Sequence, residues 1–203
     1  MTLIQILFFI LWAAFYGAYL LKNFLLRRQG IRADILGKGD KPKSRAVFET
    51  AIKIVTYFGA MVQVFSIAFP KAIGAFSAST AQQVSGLVFS TFGVACFIAA
   101  VVVMGHNWRA GFSAEQDTRL VTGGIYRYSR NPAFLGFDFL YIGCALAFPN
   151  PVNVVFAVAA VALFHFQILG EEKYLAGAFG QDYVEYRTKT MRYLGKRKKD
   201  NPA

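Results

Sequence analysis

Five apolar runs, each close to the length of a bilayer-spanning helix, dominate this sequence. They cover residues 3–21, 46–69, 84–104, 133–148 and 152–169. A helix needs about 20 apolar residues to cross a hydrocarbon core ~30 Å thick. Backbone polar groups in lipid must be satisfied within the segment, which a helix achieves. The sequence therefore predicts an all-α polytopic membrane protein with five transmembrane helices.

The last two runs allow two arrangements. The fourth, 133–148, is the shortest and nearly spans the core only if the bilayer thins locally or flanking residues snorkel. The connection Phe148-Pro149-Asn150-Pro151 is so tight that the pair can also be interpreted as a re-entrant hairpin. Asn150 as a helix cap with Pro151 at the first helical position is a good restart signal. It favours two full antiparallel spans.

The basic residues are distributed very unevenly. Of the 22 lysines and arginines, 20 fall in the segments 22–45, 105–131 and after 170. Basic loops stay in the cytoplasm, so the amino terminus is expected outside and the carboxyl terminus inside. The net charge of +11 is expected to attract anionic lipid headgroups. No nucleic-acid-binding module surrounds the basic residues, and nucleic acid is not an expected partner.

A polar, turn-rich stretch, LVTGGIYRYSRNPAFLG, occupies residues 120–136. Asn131 and Pro132 are suited to the cap and the first position of the fourth helix. The positive end of that helix, with Arg127 and Arg130 just before it, favours an anionic group. The alternative is that these arginines only anchor the helix end to headgroups.

Two adjacent acids, Glu171 and Glu172, follow the fifth run, and the hairpin returns them to the start of the fourth helix. Two carboxylates at the C-terminal end of a helix oppose its dipole and repel each other. They are expected to need cationic partners, either a cationic ligand or Arg127 and Arg130. Gln167 lies one turn before Glu171 on the same helix face.

Other polar residues near this end of the bundle have two interpretations each. Asp138 and His165 lie at comparable depth inside the last two runs, where ionisable groups are usually functional or paired. They are either substrate contacts or a hydrogen-bonded pair that locks the hairpin. His106 and Trp108 are either substrate contacts or interfacial anchors. No metal site is predicted, since the spacing of potential ligands suggests none.

The stretch 120–136 and the residues after it resemble the isoprenylcysteine carboxyl methyltransferase family, which is related to the membrane phospholipid methyltransferases. The family form is roughly L-V-x-x-G-x-Y-x-x-x-R-H-P-x-Y-x-G, followed after a helical hairpin by E-E, F-G and Y-x-x-Y. The resemblance covers about the last 90 residues. Its later members here are Glu171, Glu172, Phe179, Gly180, Tyr183, Tyr186 and Arg192.

The resemblance implies a cytosol-facing site for S-adenosylmethionine, with S-adenosylhomocysteine as the product. The site would be formed by the connection between the third and fourth helices and by the end of the fifth. No G-x-G-x-x-G fingerprint is present, consistent with a site that uses no Rossmann domain. By position, the implied cofactor-binding residues are Leu120, Val121, Tyr126, Arg130, Asn131, Pro132, Phe134 and Glu171.

The implied activity is in-line methyl transfer to a lipophilic acceptor from the bilayer, either an isoprenylcysteine-like carboxylate or a thiol. One alternative is phospholipid (ethanolamine) N-methyltransferase activity. Two more distant alternatives are an NADPH-dependent enzyme similar to sterol reductases and a non-catalytic lipid-binding protein. Glu172 is expected beside the reaction centre, where it or His165 can act as a base if the acceptor must lose a proton.

The chain departs from the family form at three positions. Asn131 replaces the usual histidine, Phe134 replaces a tyrosine, and Gln167 stands where the prenylcysteine enzymes carry an arginine. A glutamine cannot replace the charge with which an arginine grips a carboxylate. Arg109 is expected to supply that cation, so Glu172, Gln167 and Arg109 are the predicted catalytic residues.

The sequence thus divides into three parts. Residues 1–104 hold three helices and the basic loop 22–45. Residues 105–194 form the catalytic region, with the cytoplasmic connection, the hairpin of the last two helices and a C-terminal helix. Residues 195–203 are predicted to be a basic flexible tail.

Overall fold

The described part of the chain forms five α-helices, one for each of the five predicted runs. The computed structural model describes residues 1–38, 42–72, 74, 76–109 and 119–196. The helices are α1 (Leu3–Arg28), α2 (Lys43–Ala68), α3 (Thr80–Met104), α4 (Pro132–Ala147) and α5 (Pro151–Lys189). All but α4 are long and apolar enough to cross a bilayer. The prediction of an all-α polytopic membrane protein is confirmed.

Local sequence signals determine where α1 and α3 begin. The Thr2 hydroxyl accepts a hydrogen bond from the backbone N–H of Gln5, and the Gln5 side chain accepts one from Thr2. Ser79 and Gln82 repeat this arrangement at the start of α3. Such reciprocal capping satisfies backbone donors that have no partner inside the helix.

Helices α3 and α4 approach each other closely along a seam of small residues. A Cβ atom added to Gly93 would lie 2.7 Å from the carbonyl oxygen of Gly136, and one added to Gly143 would lie 2.3 Å from Oγ of Ser90. A Cβ at Gly86 would lie 2.4 Å from the carbonyl oxygen of Gly143. In lipid, helices associate through this kind of close backbone contact. The seam fixes α4 against α3 and positions the start of α4.

Helices α4 and α5 form the predicted antiparallel hairpin. The Asn150 side chain accepts from the backbone N–H of Asn153 at 2.8 Å, which confirms the restart signal. Near the middle of the hairpin, the rings of Phe137 and Phe164 lie 5.1 Å apart. The 16 residues of α4 correspond to about 24 Å at 1.5 Å per residue. Helix α4 is therefore shorter than the other four helices. The antiparallel helix α5 runs back along α4 and continues past the residue where α4 begins.

The fifth helix does not end near residue 170. It continues to Lys189, with a break at Gly180, where φ is 51°. Glu171 and Glu172 therefore lie inside α5 and not at a helix terminus, so the expected conflict with the helix dipole is absent. Their need for partners arises instead from burial, since Glu172 is 7% exposed and a buried charge must be paired.

The chain after α5 folds back over the segment that precedes α4. Thr190 and Lys196 form an antiparallel bridge, and the backbone N–H of Gly195 donates to the carbonyl oxygen of Tyr128 at 2.7 Å. The prediction of a flexible tail from residue 195 is wrong for Gly195 and Lys196, because they are tied to the folded part. The rest of that predicted tail, 197–203, lies outside the described residues.

Candidate functional site

One cavity of about 700 Å³ extends from the start of α4 into the groove between α1 and α2. Ligand pockets are usually about 300–1,000 Å³ in size. All eight residues assigned to cofactor binding from the sequence line this cavity. They are Leu120, Val121, Tyr126, Arg130, Asn131, Pro132, Phe134 and Glu171. Folding thus brings the 120–136 stretch and the middle of α5 to one place.

Charged and polar side chains gather where the cavity meets the start of α4. Arg109 and Arg119 come from the connection between α3 and α4, Glu171 and Gln167 from α5, and Lys53 from α2. Burial lowers the pKa of the Arg109 guanidinium because the charged form loses hydration. These residues form a charged compartment that offers both a carboxylate and cations to a ligand.

The other part of the cavity is an apolar groove between α1 and α2. Trp12 and Tyr16 line it from α1, and α2 lines it beyond Lys53, from Thr56 to Ala68. Those 12 steps along α2 correspond to about 18 Å at 1.5 Å per residue. The groove therefore follows more than half the thickness of a hydrocarbon core and is continuous with the charged compartment.

The loop between α1 and α2 also contributes to the wall, which the sequence did not indicate. Ile35 and Leu36 line the cavity. Next to them, Asp34 pairs with Lys53 at 2.9 Å and with Lys38 at 3.1 Å. Burial alone would raise the pKa of the Asp34 carboxyl, but the two lysines outweigh it and lower that pKa below its usual 3.8. Lys53 could have indicated this contact, because a charged residue inside an apolar run usually has a partner or a function.

Glu172 does not line the cavity. Its Oε1 accepts from Nη2 of Arg130 at 2.7 Å and from Nδ2 of Asn131 at 3.3 Å, and its Oε2 accepts from Nη2 of Arg192 at 2.9 Å. The hydrogen bond and charge of Glu172 raise the pKa of Arg192. Two arginines thus occupy the Glu172 carboxylate, and its expected place beside a reaction centre stays a prediction.

The predicted anion site at the start of α4 is thus filled by the chain itself. Asn131 occupies the cap position but makes no capping hydrogen bond. Its Nδ2 instead donates to Glu172 and, at 3.2 Å, to the carbonyl oxygen of Arg192. Of the partners that the sequence left open for the two glutamates, a cationic ligand or Arg127 and Arg130, the structure shows Arg130 paired with Glu172. Arg192, from the tail after α5, is an additional partner that only the folded structure reveals.

The cation beside Gln167 is Arg45 of α2. Arg45 Nη2 donates to Gln167 Oε1 at 2.9 Å, and Gln167 Nε2 donates to Glu171 Oε1 at 2.9 Å. Arg109, which was expected to supply the missing cation, lines the same cavity, and its Nη1 donates to the carbonyl oxygens of His106 and Trp108, each at 2.7 Å. Its catalytic role stays a prediction. No local signal pointed to Arg45, which is 122 positions from Gln167.

The fold separates the four candidates for substrate contact. Trp108 lines the cavity, whereas His106, Asp138 and His165 do not. His165 Nδ1 lies 2.5 Å from the Tyr193 hydroxyl, and the two rings stack. The alternative of an Asp138–His165 hydrogen-bonded pair is wrong, because no hydrogen bond joins these two described residues and His165 Nδ1 has Tyr193 as its partner. Oδ1 of Asp138 is buried without a hydrogen-bond partner among the described residues.

Tyr126 is held in the cavity wall by the second half of α5. The Tyr186 hydroxyl donates to the carbonyl oxygen of Tyr126 at 2.7 Å. Burial raises the pKa of the Tyr126 hydroxyl, so this side chain is neutral at physiological pH. It offers a ring and a neutral hydroxyl to the charged compartment.

The fold and the site define a polytopic membrane protein in which a single cavity joins a charged compartment to an apolar groove. The sequence model of the phospholipid methyltransferase family matches residues 81–182, about half of the chain. The chain belongs to the phospholipid methyltransferase family. The matched region includes α3, α4, the 120–136 stretch and both glutamates of α5.

The chain is also similar to enzymes named protein-S-isoprenylcysteine O-methyltransferase. It is 41% identical to the one from Saccharomyces cerevisiae over 76 residues, which cover 37% of this chain and 32% of the relative. Identity to the one from Mus musculus is 32% over 106 residues, 51% of this chain and 38% of the relative. Identity to the one from Schizosaccharomyces pombe is 33% over 110 residues, which cover 53% of this chain and 47% of the relative. These matches span less than half the length of each relative.

Proposed function

We propose that this protein is a membrane-embedded methyltransferase that uses S-adenosylmethionine and acts on a lipophilic acceptor. One observation carries the proposal. The residues that resemble a cofactor site line the charged compartment of a cavity whose remainder is an apolar groove. A water-soluble cofactor and a lipid can thus meet in one place. The named activity of the relatives, O-methyl transfer, supports the same reaction class.

The lining of the charged compartment fits S-adenosylmethionine, which carries a carboxylate, an amino group, a sulfonium and an adenosine. When bound, the cofactor supplies an electrophilic methyl group. Glu171 is suited to the amino group and the sulfonium. Arg109 and Arg119 line the same compartment and suit the carboxylate, a role for which Arg130 is less suited because Glu172 occupies it. The ring of Tyr126 suits the adenosine.

The acceptor we propose carries a long hydrocarbon chain. The apolar groove follows α2 for about 18 Å, a length that suits an isoprenoid or acyl chain and exceeds what a small thiol requires. An isoprenylcysteine-like carboxylate or thiol is our first candidate, because the relatives are named for isoprenylcysteine. A carboxylate needs no base, whereas a thiol must lose a proton.

The second candidate acceptor is a phospholipid amine, which the description of the matching family favours. Gln167 supports this candidate as well, since a glutamine adds no charge to grip a carboxylate. The two candidates share the cofactor and the groove, so only the identity of the methylated product separates them.

Labelled methyl transfer tests the proposal. Purified protein is incubated with labelled S-adenosylmethionine and either total lipids or small prenylated thiols and carboxylates, and the products are identified by mass. We expect label in one lipophilic product class and none with Glu171→Gln. If Glu171→Gln binds S-adenosylhomocysteine as the wild type does in calorimetry, the assignment of Glu171 to the cofactor site is wrong. A thermal-shift response to NADPH instead would favour the reductase-like alternative, and no response to either ligand would favour a non-catalytic lipid-binding protein.

We also propose that the charged compartment faces the cytoplasm and that anionic lipids bind the basic segments around it. The lysine and arginine asymmetry supports both statements. A cysteine introduced at Lys71 or at Lys173, on opposite sides in this orientation, can be labelled by an impermeant reagent in sealed vesicles. Labelling of the Lys173 position from the outer side of oriented cells would contradict the orientation.

A further inference from the structure

Gln167 is held from both sides in one orientation. Its Oε1 accepts from Nη2 of Arg45, and its Nε2 donates to Oε1 of Glu171, each at 2.9 Å. The side chain is 1% exposed, so water cannot easily replace either bond. Rotation of the amide by 180° would turn its N–H groups toward the guanidinium and its oxygen toward the carboxylate. Arg45 therefore determines which way the amide points.

Arg45 is itself fixed before it reaches Gln167. Its Nε donates to Oε1 of Glu49 at 3.0 Å, and the Glu49 side chain is fully buried. The other oxygen of Glu49 accepts from the backbone N–H of Gly37 at 2.7 Å. A guanidinium held on one edge by a buried carboxylate can direct its other edge with little loss of rotamer entropy.

The guanidinium crosses α5 where the helix has no side chain. A Cβ atom added to Gly170 would lie 2.3 Å from Nη1 of Arg45. Gly170 directly precedes Glu171, so Arg45 passes over the backbone next to the cavity. The small residue at this position permits contact between α2 and α5 at the level of the charged compartment.

We infer that Arg45 is a positioning residue that acts through Gln167 to orient the Glu171 carboxylate at the cavity wall. The inference rests on the proposed function, because it takes Glu171 as a cofactor contact. Arg45 does not line the cavity, whereas Gln167 and Glu171 do. The resemblance places an arginine at position 167. Here the positive charge comes from Arg45 of α2, and the Gln167 amide links it to the Glu171 carboxylate.

A double-mutant cycle on the full chain tests the inference, with calorimetric binding of S-adenosylhomocysteine as the readout. We expect Arg45→Ala and Gln167→Ala each to weaken binding about tenfold, which is the loss expected from one well-oriented charged contact. The double variant is expected to bind about as weakly as either single variant, since both changes break the same path. Lys43→Ala, an exposed site on the same turn, is the control and should bind like the wild type.

Steady-state kinetics separate positioning from damage to the fold. We expect Arg45→Ala to raise KM for S-adenosylmethionine about tenfold while kcat stays within about twofold. A purely structural defect would reduce the active fraction and lower the apparent kcat at constant KM. Arg45→Lys is the second variant if Arg45→Ala does not fold. It keeps the charge, but an ammonium cannot present a rigid fork to Glu49 and Gln167 together, so KM should rise as well.

Three results would overturn the inference. If Glu171→Gln weakens binding while Arg45→Ala and Arg45→Lys bind like the wild type, the positioning role is wrong and the proposed function stands. If the losses of Arg45→Ala and Gln167→Ala multiply in the double variant, the two residues act independently. If wild-type protein does not bind S-adenosylhomocysteine, the proposed function fails and this inference fails with it.

Discussion

Glu171 and Glu172 are neighbours in sequence, yet the structure gives the two carboxylates different surroundings, and isosteric substitution should separate them. Glu172 accepts five hydrogen bonds from Arg130, Asn131 and Arg192. Glu171 lines the cavity. We predict that Glu172→Gln mainly destabilises the fold, whereas Glu171→Gln mainly removes cofactor binding.

The size of the Glu172 effect follows from burial. The Arg130 and Glu172 side chains are 4% and 7% exposed, and breaking a buried ion pair from one side costs about 3–5 kcal/mol. Arg192 is 36% exposed, so solvent screens its half of the interaction. We therefore expect about 3 kcal/mol, at the lower end of that range. For a chain of this size, this corresponds to a drop of about 6–12 °C in the melting midpoint.

The assay is thermal unfolding of the detergent-purified protein, followed by calorimetry with S-adenosylhomocysteine well below the midpoint of each variant. The free energy of unfolding of Glu171→Gln should lie within about 1 kcal/mol of the wild-type value, because an amide of the same shape keeps one oxygen acceptor in the cavity wall. The reasoning is refuted if Glu172→Gln has the melting midpoint of the wild type but no longer binds S-adenosylhomocysteine. It is also refuted if Glu171→Gln loses more stability than Glu172→Gln.

Three further predictions concern stability. Gly143→Ala should lower the free energy of unfolding by about 1–3 kcal/mol through overpacking against α3. Gly17→Ala, whose added Cβ has no atom of the described residues within 4 Å, should be neutral or stabilising by up to about 1 kcal/mol, and equal thermal shifts would contradict the close α3–α4 seam. Asp34 has a lowered pKa, so the stabilisation by its carboxylate is present above about pH 4 and is lost as the pH falls through the pKa of the folded state. The difference in melting midpoint between wild type and Asp34→Asn should therefore shrink below about pH 4, and a difference that grows there would contradict the lowered pKa. Tyr186→Phe removes the hydrogen bond to the Tyr126 carbonyl and should cost about 1–2 kcal/mol by thermal unfolding; no loss would show that water replaces it.

The positions of the helices could be predicted from the sequence because hydrophobicity and capping are local properties. Each of the five apolar runs corresponds to one helix, and Asn150 with Pro151 marks where the last one begins. The far end of α5 could not be predicted in the same way. Residues 170–189 are polar on several faces, and their helix is stabilised by contacts such as that of Tyr186 with the 120–136 stretch.

The part of the cavity lining that comes from the eight implied cofactor residues could be predicted, since these residues belong to two short, ordered motifs. The partners of those residues were not. Arg45 and Arg192 reach Gln167 and Glu172 from segments far along the chain, and no periodicity or spacing records such a pairing. The α3–α4 seam is similar, because the glycines on each helix have meaning only once the two helices face each other.

The sequence by itself determined that this chain is a five-helix membrane protein with a polar site between the 120–136 stretch and the glutamates of α5, because a hydrocarbon environment leaves few other folds for such apolar runs. Only the tertiary structure decided which glutamate faces the cavity. Successive residues of a helix point about 100° apart, so the rotation of α5 against α2 and α4 turns Glu171 inward and leaves Glu172 to the arginines. That rotation depends on packing over the whole bundle.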